Sequence, residues 1–110
     1  MKKIKTYADL CKFRDNLRAE VMANRLNPAY FQPVANWLMK GAGDARFVLK
    51  SLAGGNERVY YWANSLLAVC DVVCASLHCS QVLGNRDHYR IVARDIIGGK
   101  LGKKYVIFEN

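Results

Sequence analysis

Early in the chain apolar residues recur at three- and four-residue steps. Leu10, Phe13, Leu17 and Val21 fall on one side, and Lys12, Asp15, Arg18 and Glu20 fall elsewhere. This period marks an amphipathic helix, and Thr6-x-x-Asp9 in front of it supplies an N-cap of the capping-box kind. The pattern predicts a first helix from about Tyr7 to Asn24. The lysines of the preceding Lys2–Lys5 segment suit an exposed sheet edge. Asn27-Pro28 starts a second helical segment, since proline fits the first helical position and asparagine caps it. Pro33 interrupts or restarts that segment, and Gly41 ends it. Asp44 caps a short third helix, Ala45 to Leu52, that Gly54-Gly55 terminates.

From Glu57 to Leu83 the chain is at its most hydrophobic, with Val59, Tyr60, Tyr61, Trp62, Leu66, Leu67, Val69, Val72, Val73 and Leu77. Wound as one helix, this stretch is apolar all round, which implies a buried central element or one that also meets another molecule. Arg58, Asn64, Ser65, Asp71 and His78 interrupt it too often for a membrane span. Tyr60, Tyr61 and Trp62 in succession cannot all point inward from one helix, so part of that cluster is expected at a protein interface. Beyond Gly84 the signal changes. Residues 89–97 fit either a helix, by arginines four apart, or a strand, by β-branched residues, whereas Lys104–Phe108 reads as strand. Gly98, Gly99 and Gly102 provide the turn between these segments. The expected fold is mainly α (α+β): about four helices around the long hydrophobic central helix, with a small C-terminal β-hairpin that the Lys2–Lys5 segment extends.

A chain of 110 residues, 52% hydrophobic, has room for one domain over residues 1–110 with one core. Seventeen Lys and Arg against nine Asp and Glu leave a formal net charge of +8, which favours polyanionic partners. The surplus sits at the two ends. Residues 1–26 hold seven basic and three acidic side chains, residues 27–85 four and three, and residues 86–110 six and three. The start of the chain lacks an apolar signal region, so the cytoplasm is the default compartment, and Cys11, Cys70, Cys74 and Cys79 are expected as free thiols.

Candidate chemistry is sparse. Cys70, Cys74 and His78 share one stripe of a helix, but residues eight apart are separated by about 12 Å of helical rise. They cannot converge on one ion, and no Cys-x-x-Cys knuckle is present. No metal, cofactor or catalytic residue is assigned. Asp71, alone among apolar neighbours, is expected to pair with an Arg, Tyr or Trp donor inside the protein. The Gly98–Lys104 run lacks Walker spacing and leads into a strand, so it reads as a lysine-bearing hairpin tip.

Two basic groups remain. Arg86, Arg90 and Arg94 share one face whether the segment is helix or strand, and Lys100, Lys103 and Lys104 follow them. The stretch from Ser80 to Asn110, with Leu83-Gly84, the basic segment containing Asn85, Tyr89, Arg90 and Arg94, and then Gly98-Gly-Lys-Leu-Gly-Lys-Lys-Tyr-Val-Ile-Phe108, resembles the recognition helix and wing of small excisionase-type (MerR-like) winged-helix DNA-binding domains. The resemblance covers about a quarter of the chain. It implies a DNA-binding accessory or regulatory protein of the phage or plasmid type. The expected function is non-catalytic nucleic-acid binding, duplex DNA preferred, through Arg86, Arg90, Arg94, Lys100, Lys103 and Lys104. The alternative is a small inhibitor or adaptor that docks on an acidic surface of a larger complex, such as a nuclease or CRISPR machine, through Tyr60, Tyr61 and Trp62. Neither reading involves a membrane, and both accommodate a homodimer.

Overall fold

Phe47 and Leu49 are fully buried while Val48 between them and Lys50 after them are not. That alternation is the period of a half-covered strand. A computed structural model, which describes residues 3–25, 27, 30 and 41–110, shows a four-stranded antiparallel sheet with two α-helices on one face. The elements are α1 (Tyr7–Met22), β1 (Phe47–Ser51), β2 (Arg58–Ala63), α2 (Leu66–Val82), β3 (Tyr89–Ile97) and β4 (Lys100–Glu109). In space the strands run β2-β1-β3-β4.

The first helix begins as the sequence predicts, with Thr6 Oγ1 accepting the Asp9 amide at 3.1 Å. It buries Leu10 and Leu17. The second helix, α2, is capped by Ser65, whose Oγ accepts the Ala68 amide at 3.4 Å. Its buried positions, Leu66, Val69, Cys70, Val73, Cys74 and Leu77, form one stripe that packs with Leu10 and Leu17 onto Phe47, Leu49, Ile91, Ala93, Ile107 and Phe108 of the sheet. Leu67 and Val72 at the margins of the stripe are partly buried against the same core.

The four-helix expectation is therefore corrected. Among the described residues there are two α-helices, and the fold is α+β. The predicted helix over Ala45–Leu52 is β1, in which burial alternates, Phe47 and Leu49 against the core and Val48 and Lys50 away from it, rather than recurring at helical steps. The predicted central helix from Glu57 is two elements, β2 and α2, separated at Asn64-Ser65. A β-branched and aromatic run, Val59–Trp62, favours the pleated surface, and Ser65 is a helix start inside what looked like a continuous apolar helix. The second predicted helix falls mostly on residues 28–29 and 31–40, outside the described residues.

At the C-terminus Gly98 and Gly99, both at positive φ (58° and 76°), close the two-residue turn that joins Ile97 to Lys100. Positive φ at both central positions matches the right-handed twist of the hairpin. Ile4 extends the sheet as expected. Its amide donates to the Ile107 carbonyl at 2.8 Å, and its carbonyl accepts the Glu109 amide at 3.0 Å. The β4 edge is thereby covered over its last residues, while β2 forms the opposite edge.

Candidate functional site

Strand alternation assigns every second side chain to the face away from the helices. Among the described residues no helix covers that face. The register places three rows of side chains across it. One is apolar and spans all four strands: Trp62 of β2 beside Val48 of β1, then Val92 of β3, then Val106 of β4. A second row runs Val59, Lys50, Arg90, Glu109. The third, on the other side of the apolar row, joins Arg94 to Lys104 and adjoins Arg46, whose carbonyl accepts the Arg94 amide at 2.8 Å.

The two charged rows differ in how their charge is matched. In the row of Lys50 and Arg90, Glu57 pairs with Lys50 Nζ and with Arg90 Nη1, each at 3.0 Å, and Glu109 accepts Arg90 Nε. Two cations meet two carboxylates. The Lys50 ammonium, hydrogen-bonded to Glu57, holds that carboxyl below the usual range, and Arg90 does the same for Glu109. In the other row Arg94 spends its guanidinium on carbonyls: Nε donates to Gly102 O at 2.7 Å and Nη2 to Leu101 O at 3.4 Å. Carbonyls leave the cationic charge uncancelled. Arg46, buried to 1% exposure, pairs with Asp95 at 3.4 Å, donates to Arg94 O at 3.2 Å and lies over the Phe47 ring. Lys104 is exposed, and no described residue pairs with it. A Cβ at Gly102 would stand 3.3 Å from the Asp95 carbonyl, a tight contact beside the irregular pairing of β3 and β4 there.

Between the rows lies a cavity of about 170 Å³. Val48, Val59 and Val92 form its apolar part and Lys50, Arg94 and Lys104 its basic part, with the turn at Ala42–Asp44 at its end. Trp62, 42% exposed, flanks it from beside Val48. The arrangement is an apolar strip with uncompensated cations along one side, suited to a ligand that is planar and apolar on one part and anionic on another.

The structure distributes the predicted basic residues unevenly. Arg90 and Arg94 share the open face, but Arg90 is neutralised by Glu57 and Glu109. Arg86 lies in the loop before β3, the segment likened to a recognition helix being loop up to His88 and strand from Tyr89. The length of β3, roughly 27 Å for eight residue steps, separates Arg86 from the Gly98-Gly99 turn. Lys100 is at the turn, while Lys103 and Lys104 lie within β4 and alternate between its faces. Only Lys104 joins the Arg94 row.

The aromatic cluster is also divided. A β-bulge opposite Leu49 and Lys50 inserts Tyr60 as an extra residue in β2. Tyr61 packs against the core, Tyr60 meets Tyr89 edge-on at 5.6 Å and accepts from Ser76 Oγ at 3.3 Å, and Trp62 stands on the open face. Val48, Lys50 and Arg46 were not among the site residues expected from sequence. The short apolar run Phe47-Val48-Leu49, followed closely by Gly54-Gly55, was the available strand signal.

Elsewhere, Asp71 has the arginine partner expected of it, but on the surface. Its carboxylate, 43% exposed, accepts Arg18 Nη2 at 2.6 Å and lies 4.0 Å from Arg14 Nε, bridging α2 to α1. Cys70 and Cys74 are buried, and desolvation pushes both thiols up to about 12. His78 and Cys79 are exposed. Among the described residues no group of His, Cys, Asp and Glu is placed to hold a metal, and no helix is long and apolar enough to cross a membrane. No protein-family model, curated protein or solved structure matches the chain.

Proposed function

We propose that this protein binds nucleic acid non-catalytically through the open face of its sheet. The observation that carries the reading is the Arg94–Lys104 row, whose cations are not cancelled by carboxylates, beside an apolar row in which Trp62 is exposed, Val48 and Val106 are half-buried and Val92 is buried. Lys104, and Arg94 where its charge projects past the carbonyls, meet phosphates, and Lys100 and Lys103 near the turn add to the local field. Arg86 contributes only long-range attraction from the other end of β3. The charge of the whole chain, +8, supports the same partner by steering polyanions toward the surface.

The test is affinity for mixed-sequence oligonucleotides at several salt concentrations. The expected result is a log-linear fall with salt, with Lys104→Ala lowering the slope by about 1. Absence of binding even at low salt rejects the proposal.

One observation favours a second reading, docking on another protein. Val82 and Leu83 at the end of α2 are 72% and 73% exposed, and Leu83 lines an open hollow with Tyr60 and Tyr89. An inhibitor or adaptor could seat such a patch on its target. Its binding would be nearly insensitive to salt and would be lost in Leu83→Asp.

A further inference from the structure

We infer, resting on the nucleic-acid reading, that the ligand is an unpaired strand whose bases lie on the row Trp62–Val48–Val92–Val106 and whose phosphates follow Arg94 and Lys104. The first reason is shape. Four strands at about 4.8 Å spacing make a surface about 14 Å across between outer strand axes, before side chains are added. A major groove about 12 Å wide admits a helix or a two-stranded ribbon, not this face. A duplex could touch the sheet only with its sugar-phosphate exterior, setting Trp62 and three valines against charged, hydrated groups.

The second reason is chemical order. The apolar row crosses all four strands, with Trp62 its most exposed member and Val92 buried at its centre, and is bordered on one side by Arg94, matched to carbonyls rather than carboxylates, and by the exposed Lys104. On the other side Glu57 and Glu109 cancel Lys50 and Arg90. A single strand has this same division, with π faces along one side and phosphates along the other. The asymmetry of the two borders gives it one lateral placement, phosphates toward β4 Lys104 and away from Glu57. Stacking on aromatic side chains, here Trp62, is the usual sequence-tolerant mode for unpaired bases, and a four-stranded sheet face accommodates about two or three of them. The cavity over Val48, Val59 and Val92 is of a size for one base turned toward the sheet, where Trp62 can cover its exposed side.

The experiment compares four probes of equal length at one salt concentration: a mixed-sequence single-stranded DNA, the RNA of the same sequence, the DNA annealed to its complement, and a single strand carrying abasic sites throughout. Expected are at least tenfold tighter binding of a single strand, DNA or RNA, than of duplex, and a similar loss on the abasic strand. Trp62→Ala should weaken binding to the intact strand about tenfold, leave the abasic strand unaffected and keep the salt slope. Trp62→Phe, which retains a π face and guards against a merely structural effect, should keep most of the affinity. Duplex bound as tightly as single strand, or abasic as tightly as intact, overturns this inference while leaving the nucleic-acid reading standing. No binding to any probe overturns both.

Discussion

The two faces of one sheet carry opposite duties, and the same strands supply both. On the covered face Phe47, Leu49, Ile91, Ala93 and Phe108 are sealed under α1 and α2. On the open face the intervening residues Val48, Lys50, Val92 and Arg94 meet solvent or one another across strands. A one-residue slip of any strand would exchange the two sets, so the stability of the first face fixes the register on which the second depends. The lesson is that the open face owes its geometry to a core in which it takes no part, and that, on the proposed function, substitutions on the two faces should separate stability from binding.

The largest expected effect tests that separation between adjacent residues. Phe47→Ala removes a fully buried ring and should cost about 3–5 kcal/mol in denaturant unfolding, whereas Val48→Ala, one step along the strand, should cost about 1 kcal/mol or less. Equal losses would mean that the open face is covered too.

A second measurement exploits the thiols of the covered side. Cys70 is raised by burial to about 12, so the folded state favours the neutral thiol. That contribution is complete below the unfolded value near 8.5 and is lost as pH rises toward 12. By pH 10 the wild type should lose about 2 kcal/mol more than Cys70→Ala does relative to their values at pH 7. Parallel curves for the two proteins would show that Cys70 is solvated.

The open face should respond at the acid end, and weakly. Glu57 and Glu109 are depressed by Lys50 and Arg90, so their contribution is present above the ordinary carboxylate value near 4.3 and disappears as pH falls through the lower folded values. Because Glu57 is exposed and Glu109 only half-buried, the effect on the thermal midpoint should be small, and Glu109→Gln should flatten that part of the acid limb. The same variant leaves Arg90 paired with Glu57, and because the phosphates follow Arg94 and Lys104 it should tighten polyanion binding only slightly at low salt. A large gain in affinity would place the phosphates beside Arg90 instead.

Lys104→Ala should have the smallest effect on stability, within about 0.5 kcal/mol, while changing the salt dependence of binding. A large loss of stability would give this residue a structural duty and weaken the separation of the two faces.

Much of the chain could be read locally. The amphipathic period and Thr6 cap of α1, the Gly98-Gly99 turn and the strand character of Lys104–Phe108 are short-range signals that hold wherever the segment is placed. β1, β2 and the start of α2 were harder. Five residues of alternating burial in β1 are too few to outweigh a plausible cap at Asp44. An apolar run from Val59 to Leu77 looks alike as one helix or as a strand followed by a helix until Ser65 is seen to cap Ala68. The open face was legible only in part. Arg90 and Arg94 were expected on one face under either assignment, but Trp62, Val48 and Lys50 were hidden inside segments taken for helix.

By itself the sequence determined the basic surplus, the amphipathic first helix, the C-terminal hairpin and the sharing of one face by Arg90 and Arg94, because each follows from composition or from a period within a few residues. Only the tertiary structure decided that β1 lies between β2 and β3, that Trp62, Val48, Val92 and Val106 form one row, and that Glu57 and Glu109 silence Arg90 while Arg94 and Lys104 keep their charge. Strand neighbours are chosen by long-range pairing that buries the whole core at once, and no local pattern records which carboxylate will come to rest beside which arginine.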